Sequence, residues 1–210
     1  MAVTQGFLAW SAYDTLEAIG LEQAVPINLP NILTLLRVAA IPLLVVLAGF
    51  PHPVGTLLAA ALFGLAAITD WIDGWLARRS GQMTAFGAFL DPVADKLIVA
   101  TALIILVDQF QSVWLVLAAC VIVGREILIS ALREWMARRG DSQSVAVTMV
   151  AKFKTALQMV AITLLLWTVN SDSSDPLRQA AGIGLAVAVL LTLWSMWIYI
   201  RVLMDSMRSS

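Results

Sequence analysis

Hydrophobic positions along the chain gather into six long runs, near residues 30–49, 54–77, 85–107, 113–137, 146–169 and 179–203. Each has roughly the 20 residues needed to cross a hydrocarbon core. The runs are broken by turn-forming or polar clusters: Phe50-Pro51-His52-Pro53, Arg78-Arg79-Ser80-Gly81, Asp108-Gln109, Arg138-Arg139-Gly140-Asp141 and Asn170-Ser171-Asp172. Pro53 and Pro176 stand just ahead of the second and sixth runs, where a missing N–H is tolerated. Backbone groups in lipid must be bonded internally, and runs this long suit helices rather than barrel strands. The expected fold class is all-α and integral to the membrane, with six transmembrane helices in one domain over residues 29–205 and a short cytoplasmic tail at 206–210.

The first 28 residues break this pattern. Phe7, Leu8, Trp10, Tyr13, Leu16 and Leu21 alternate with Asp14, Glu17 and Glu22. They read either as an amphipathic helix lying on the membrane surface or as a loosely ordered acidic extension. They do not read as a signal or transit peptide. Cationic residues orient the remaining chain. Arg78, Arg79, Arg138, Arg139, Lys152, Arg201 and Arg208 fall on one side, whereas the other carries Arg178 beside Asp108, Asp172 and Asp175. The excess of positive charge marks the cytoplasmic side, so both termini are expected there.

Composition narrows the chemistry. Of 210 residues, 60% are hydrophobic and 13% charged, about half the charged share of a soluble domain. A net charge of -1 gives no global attraction to nucleic acid. Cys120 is the only cysteine and His52 the only histidine, which excludes an intrachain disulfide and His- or Cys-rich metal sites. Any metal must be held by oxygen. The eight tryptophans are accounted for by interfacial anchoring or core packing.

Ionisable residues within spans are costly and usually functional. Asp70 and Asp73 lie near the cytoplasmic end of the second span, and Asp91 and Asp95 in the cytoplasmic half of the third. At 100° per residue, Asp70, Asp73, Gly74 and Ala77 form one stripe, and Gly87, Asp91 and Asp95 another. The short Arg-Arg-Ser-Gly turn predicts antiparallel neighbours whose stripes face each other. Four converging carboxylates must either protonate in part or bind cations. Hard oxygen ligands suit Mg²⁺, Mn²⁺ or Ca²⁺, and two such ions about 4 Å apart recur in displacement at phosphorus. Gly74, Ala77 and Gly87 remove side-chain volume on the same faces, for close packing or for a substrate.

These residues spell Asp70-x2-Asp73-Gly74-x2-Ala77-Arg78-x8-Gly87-x3-Asp91-x3-Asp95. The string resembles the signature of the CDP-alcohol phosphatidyltransferase family at every position and gap. Thr69–Gly74, Phe89–Lys96, Pro30-Asn31-x2-Thr34-x2-Arg37, Gly124–Ile127, Ser130–Trp135 and Lys152-x-Lys154-Thr155 resemble the branch whose acceptor is glycerol-3-phosphate. The likeness covers about residues 27–205. It implies a six-helix fold, a frequent homodimer, and transfer of a phosphatidyl group from CDP-diacylglycerol to an alcohol with release of CMP. It further implies that Asp70, Asp73, Asp91 and Asp95 ligate two Mg²⁺ or Mn²⁺ ions, with Asp95 also the general base. Gly74, Ala77, Arg78 and Gly87 would shape the cytidine diphosphate pocket, bordered by Asn31, Thr34 and Arg37. A bacterial inner membrane, with the site facing the cytoplasm, goes with this reading.

No Ser/His or Cys/His pair lies near the motif, so single displacement is expected. Basic residues favour a phosphate-bearing acceptor, because Arg suits bidentate binding of phosphate. Arg125 sits in mid-span, an expensive place that fits either an acceptor phosphate or an ion pair with Glu126 or Glu134. Arg133, Lys152 and Lys154 join the candidate pocket, although snorkelling at helix ends also explains their charge. Lys152 and Lys154 project about 200° apart, so only one is expected to line a cavity. Lys96 reads as a local counter-charge to Asp95. Phosphatidylglycerol is the alternative acceptor within the same chemistry. A divalent-cation or proton-coupled transporter would instead line a through-path and break helices at midplane, and the acids here gather toward one face.

Overall fold

The computed structural model describes residues 29–80, 85–138 and 149–208. Among these residues six helices follow one another: α1 Leu29–Ala48, α2 Val54–Ser80, α3 Ala85–Phe110, α4 Val113–Arg138, α5 Met149–Trp167 and α6 Pro176–Arg208. No strand occurs among the described residues. The last helix runs through residues 206–208, where the sequence reading placed a tail, because nothing in Met204–Arg208 breaks a helix. The expectations for residues 1–28 lie outside the described residues.

Among the described residues, three stretches are long and apolar enough to cross a membrane: Asn31–Ala48, Val113–Met136 and Pro176–Arg201. Val54–Asp70 and Phe153–Trp167 are apolar but shorter. The charges explain the difference, because Asp70 ends one apolar stretch and Lys154 borders another, while Asp91, Asp95 and Lys96 interrupt α3. The outer surface agrees with a lipid solvent. Leu36, Ile104, Phe153, Ile183, Leu190 and Trp194 are each at least 60% exposed, and such side chains in number are unusual on a water-soluble monomer. The chain is an integral membrane protein.

The inner face of α1 is Asn31, Thr34, Arg37, Ala40, Leu44 and Ala48, all buried. It is polar at its start and apolar beyond. The other helices repeat this grading: α3 passes from Asp91 and Asp95 to Ile98, Ala102 and Leu106, and α5 from Lys154 and Gln158 to Ile162 and Leu166. The even helices run the other way, α2 from Ala59 and Phe63 to Asp70 and α4 from Leu115 and Ala118 to Arg125. Successive helices reverse direction, so the buried charged residues Arg37, Arg125 and Lys154 gather with the acids at one end of the bundle. The loops 49–53, 111–112 and 168–175 close the other end. There Asp175 accepts a 2.8 Å bond from the Leu177 amide and caps α6 ahead of Pro176. Hydrogen bonds from Ser171 and that amide hold the Asp175 carboxyl below its usual range.

One neighbour relation differs from expectation. α2 and α3 touch only sparsely among the described residues, whereas α1 packs extensively against both. The carboxylates of Asp70 on α2 and of Asp91 and Asp95 on α3 nonetheless converge, as the spacing predicts. A cationic side chain of α1 stands among them, as direct juxtaposition of anions in a low-dielectric bundle would be repulsive.

At the closed end, Gly55 lets the start of α2 press on the end of α1. A Cβ at Gly55 would lie 2.5 Å from the Phe50 carbonyl oxygen and 2.6 Å from that of Leu47. Gly55→Ala should therefore displace this turn and cost about 1–3 kcal/mol. Gly182→Ala on α6, where a Cβ meets nothing within 4 Å, should leave the melting temperature in detergent unchanged. Equal melting of the two variants would remove the close approach at Gly55.

Candidate functional site

The start of α3 carries two acids one turn apart. Asp91 and Asp95 share a face because four residues nearly complete a turn, and Pro92 between them removes one donor from the helical ladder. Asp70, four turns into the apolar α2, reaches the same point. One carboxylate oxygen from each of Asp70, Asp91 and Asp95 lies within 4.8 Å of the others. All three carboxylates are about one-third exposed.

Arg37 of α1 joins them. Its side chain is only 2% exposed, and Nη1 donates at 2.8 Å to Oδ1 of Asp91 and at 2.8 Å to Oδ1 of Asp95. Nη2 stands 3.4 Å from Oδ1 of Asp70. One turn earlier, Thr34 Oγ1 donates to Asp91 Oδ1 at 3.2 Å. Asn31 is buried at the start of the same helix. The sequence reading assigned these three residues to the border of a nucleotide pocket; Arg37 and Thr34 lie directly against the acids.

The donor set is all carboxylate oxygen, unprotected by His or Cys, and its spacing fits a hard divalent cation. The oxygens already converge on one positive group, which is the electrostatic requirement for a cation site. Gly87 lies in the first turn of α3, on the approach to Asp91. Asp73, Gly74, Ala77 and Arg78 lie on α2, Arg133 on α4 and Lys152 on α5, but their side chains lie outside the described residues.

A cavity of about 270 Å³ opens beside the acids. Asp70 and Asp95 line one part of it, with Lys96, Arg125, Glu126, Ser130, Thr155 and Gln158 contributed by α3, α4 and α5. Val99, Ile122, Ile129 and Met159 supply apolar wall. Arg125 is 8% exposed. Its Nη1 donates to Glu126 Oε1 at 2.6 Å and its Nη2 to Ser195 Oγ of α6 at 3.3 Å. Its Nε is buried with no hydrogen-bond partner among the described residues. Lys154 is buried, with Nζ 4.0 Å from the same Glu126 oxygen. Of the two expected ion-pair partners for Arg125, Glu126 is the one bonded to it. Of the two lysines, Lys154 has its side chain described, and it turns inward.

Sequence reasoning undervalued two residues here. Lys96, read only as a counter-charge, lines the cavity and donates to Ser130 Oγ at 2.5 Å. Gln158 gave no signal beyond being a polar residue in an apolar run, and it is buried on the cavity wall. The inward position of Gln158, one turn after Lys154, could have been found from the helical period.

The comparisons with known proteins bear on this arrangement. Residues 27–198 match the profile of the CDP-alcohol phosphatidyltransferase family. A protein of Salmonella choleraesuis is 51% identical over 174 residues, covering 82% of this chain and 93% of the relative. One from Pectobacterium atrosepticum is 49% identical over 177 residues, covering 83% and 93%. One from Escherichia coli K12 is 49% identical over 174 residues, covering 82% and 93%. Each of these relatives is named CDP-diacylglycerol–glycerol-3-phosphate 3-phosphatidyltransferase.

Glu126 neutralises a nearly buried guanidinium, so its loss should be felt in stability. Glu126→Leu is expected to cost about 1–3 kcal/mol, discounted for the one-third exposure of the carboxylate. Adding Arg125→Met to the same chain should recover part of the loss in melting temperature. A double variant no more stable than Glu126→Leu alone would show that the pair is not coupled.

Proposed function

The chain belongs to the CDP-alcohol phosphatidyltransferase family, and from that membership we propose that it transfers the phosphatidyl group of CDP-diacylglycerol to sn-glycerol-3-phosphate. The products are phosphatidylglycerophosphate and CMP. The relatives' names supply the substrates. The observation that carries the reading for this chain is one cavity bounded by a carboxylate cluster and by Arg125. An anionic diphosphate needs cations held by acids, and an anionic acceptor needs basic residues within reach of the same point.

Asp70, Asp91 and Asp95, together with Asp73 from the sequence motif, would hold two Mg²⁺ or Mn²⁺ ions. When bound, such ions neutralise the donor's diphosphate and stabilise the departing CMP. Asp95 lines the cavity and accepts the proton of the attacking glycerol hydroxyl, which then displaces CMP in a single step at phosphorus. Arg125 and Lys154 hold the acceptor's phosphate, with Arg133 and Lys152 as further contributors on sequence grounds. Lys96 adds a cation on the wall next to Asp95. Asn31, Thr34 and Arg37 border the donor side, with Gly74, Ala77, Arg78 and Gly87 shaping the cytidine pocket. The apolar walls and polar base of the cavity suit a reaction at the membrane surface, between a lipid and a water-soluble acceptor.

All six helices cross the bilayer in this reading, α3 with its acids at the interface. The domain covers residues 29–205. Excess basic residues at the polar end of the bundle support placing the site and both termini on the cytoplasmic side of a bacterial inner membrane. Assembly as a homodimer goes with the family resemblance.

Purified protein in detergent, given CDP-diacylglycerol, should release CMP only when glycerol-3-phosphate is added, and EDTA should stop it. Asp95→Asn should lower turnover by about 10²- to 10⁴-fold while donor binding persists. Arg125→Ala should raise KM for glycerol-3-phosphate about 10- to 100-fold, the loss of a charged hydrogen bond. Release supported by phosphatidylglycerol and not by glycerol-3-phosphate would reassign the acceptor. Undiminished turnover in Asp95→Asn would remove Asp95 as the base.

A further inference from the structure

We propose that Arg37 is an exchangeable counter-cation of the carboxylate cluster: it holds Asp70, Asp91 and Asp95 together in the unloaded site and gives up their oxygens when a divalent cation binds. The inference rests on the metal site of the proposed function and concerns what that site does when empty of metal.

Arg37 is 2% exposed at its side chain. A buried guanidinium requires anions, and the planar fork of donors can serve several carboxylates at once. Here one nitrogen, Nη1, bridges Asp91 and Asp95 at 2.8 Å each, while Nη2 faces Asp70 at 3.4 Å. The residues so bridged are the three whose oxygens stand within 4.8 Å of one another. A divalent cation held here would draw on the same three carboxylates as the guanidinium. Two cations packed against them would repel strongly at the low effective dielectric of a partly buried site. Loading the site must push the guanidinium away from at least some of these oxygens, and an incoming diphosphate offers it new acceptors.

The helix packing shows what the bridge does meanwhile. α2 and α3 touch only sparsely among the described residues, and each leans on α1. Asp70 belongs to α2, and Asp91 and Asp95 to α3. Arg37, on the helix packed against both, ties the two acid-bearing segments into one cluster. Exchange has two measurable consequences. Arg37 should weaken metal binding, because its charge must be displaced, and metal should substitute for Arg37 as the tie.

Both are tested on the full chain in detergent, with free Mn²⁺ followed by its electron paramagnetic resonance signal and unfolding followed by thermal melting. Wild type and Arg37→Gln are purified in Mn²⁺, then stripped with EDTA and titrated. Arg37→Gln should bind Mn²⁺ at least about tenfold more tightly, as expected for removing a unit charge from beside the ion. It should melt well below wild type in EDTA and close to wild type in saturating Mn²⁺. Unchanged or weaker Mn²⁺ binding in the variant would overturn the exchange, and so would a variant that cannot be recovered folded even in Mn²⁺. A wild-type chain that binds no Mn²⁺ would overturn the metal reading beneath it as well.

Discussion

Carboxylates brought within 4.8 Å of one another in an apolar helical bundle repel, and the low dielectric that surrounds them makes the repulsion costly. Positive charge among Asp70, Asp91 and Asp95 offsets that repulsion, and Arg37 supplies it. This constraint fits the packing of α1 against both α2 and α3, which touch each other only sparsely among the described residues. It also fits the buried face of α1, which presents Asn31, Thr34 and Arg37 at one end and Ala40, Leu44 and Ala48 at the other. The first turns of α1 are shaped by charge and the remainder by packing.

The alternation of helix direction then sorts the whole bundle by polarity. Odd helices begin at the site and even helices return to it, so polar residues near a span's appropriate end reach a common region without any irregular backbone at midplane. Two centres of charge result. The acids of α2 and α3 form one, and Arg125, Glu126 and Lys154 form the other, with a single cavity running between Asp95 and Arg125. For the proposed reaction, which joins a diphosphate-activated lipid to a phosphate-bearing alcohol, this layout would put a cation-binding wall opposite an anion-binding wall.

Much of this was legible in the residues. Run lengths and turn clusters located six helices within a few positions, and the spacing of Asp70, Asp91 and Asp95 announced a cluster because carboxylates inside apolar runs have few other uses. The mutual placement of α2 and α3 was not legible. Helical period tells which residues share a face but not which helix that face meets, and a short turn does not compel its two helices to pack along their length. Arg37 was visible as an arginine within the first span, yet its three partners come from residues 33 to 58 positions away. The inward position of Lys154 also needed coordinates, since the helical period does not tell which face of α5 meets its neighbours. Lys96 was underestimated for a related reason: adjacency to Asp95 in sequence suggested a local pair, whereas its amine reaches across to Ser130 on α4.

The two charge centres follow one physical rule with opposite signs. Arg125 is a nearly buried cation in a pocket suited to an anion, and a cation in that place needs a negative partner whether or not substrate is present. Glu126, the next residue, provides it at 2.6 Å and stands 4.0 Å from Lys154 as well. In the proposed phosphate pocket, Glu126 is the counter-charge of these two cations. Arg37 does for the acids what Glu126 does for Arg125 and Lys154. Each cluster thus carries one internal ion of opposite sign that offsets part of its charge. In the proposed mechanism those internal ions would lower the affinity for ligand at each wall and hold the bundle together in its absence. The same residues would therefore set stability and substrate affinity against each other, and neither could be tuned alone.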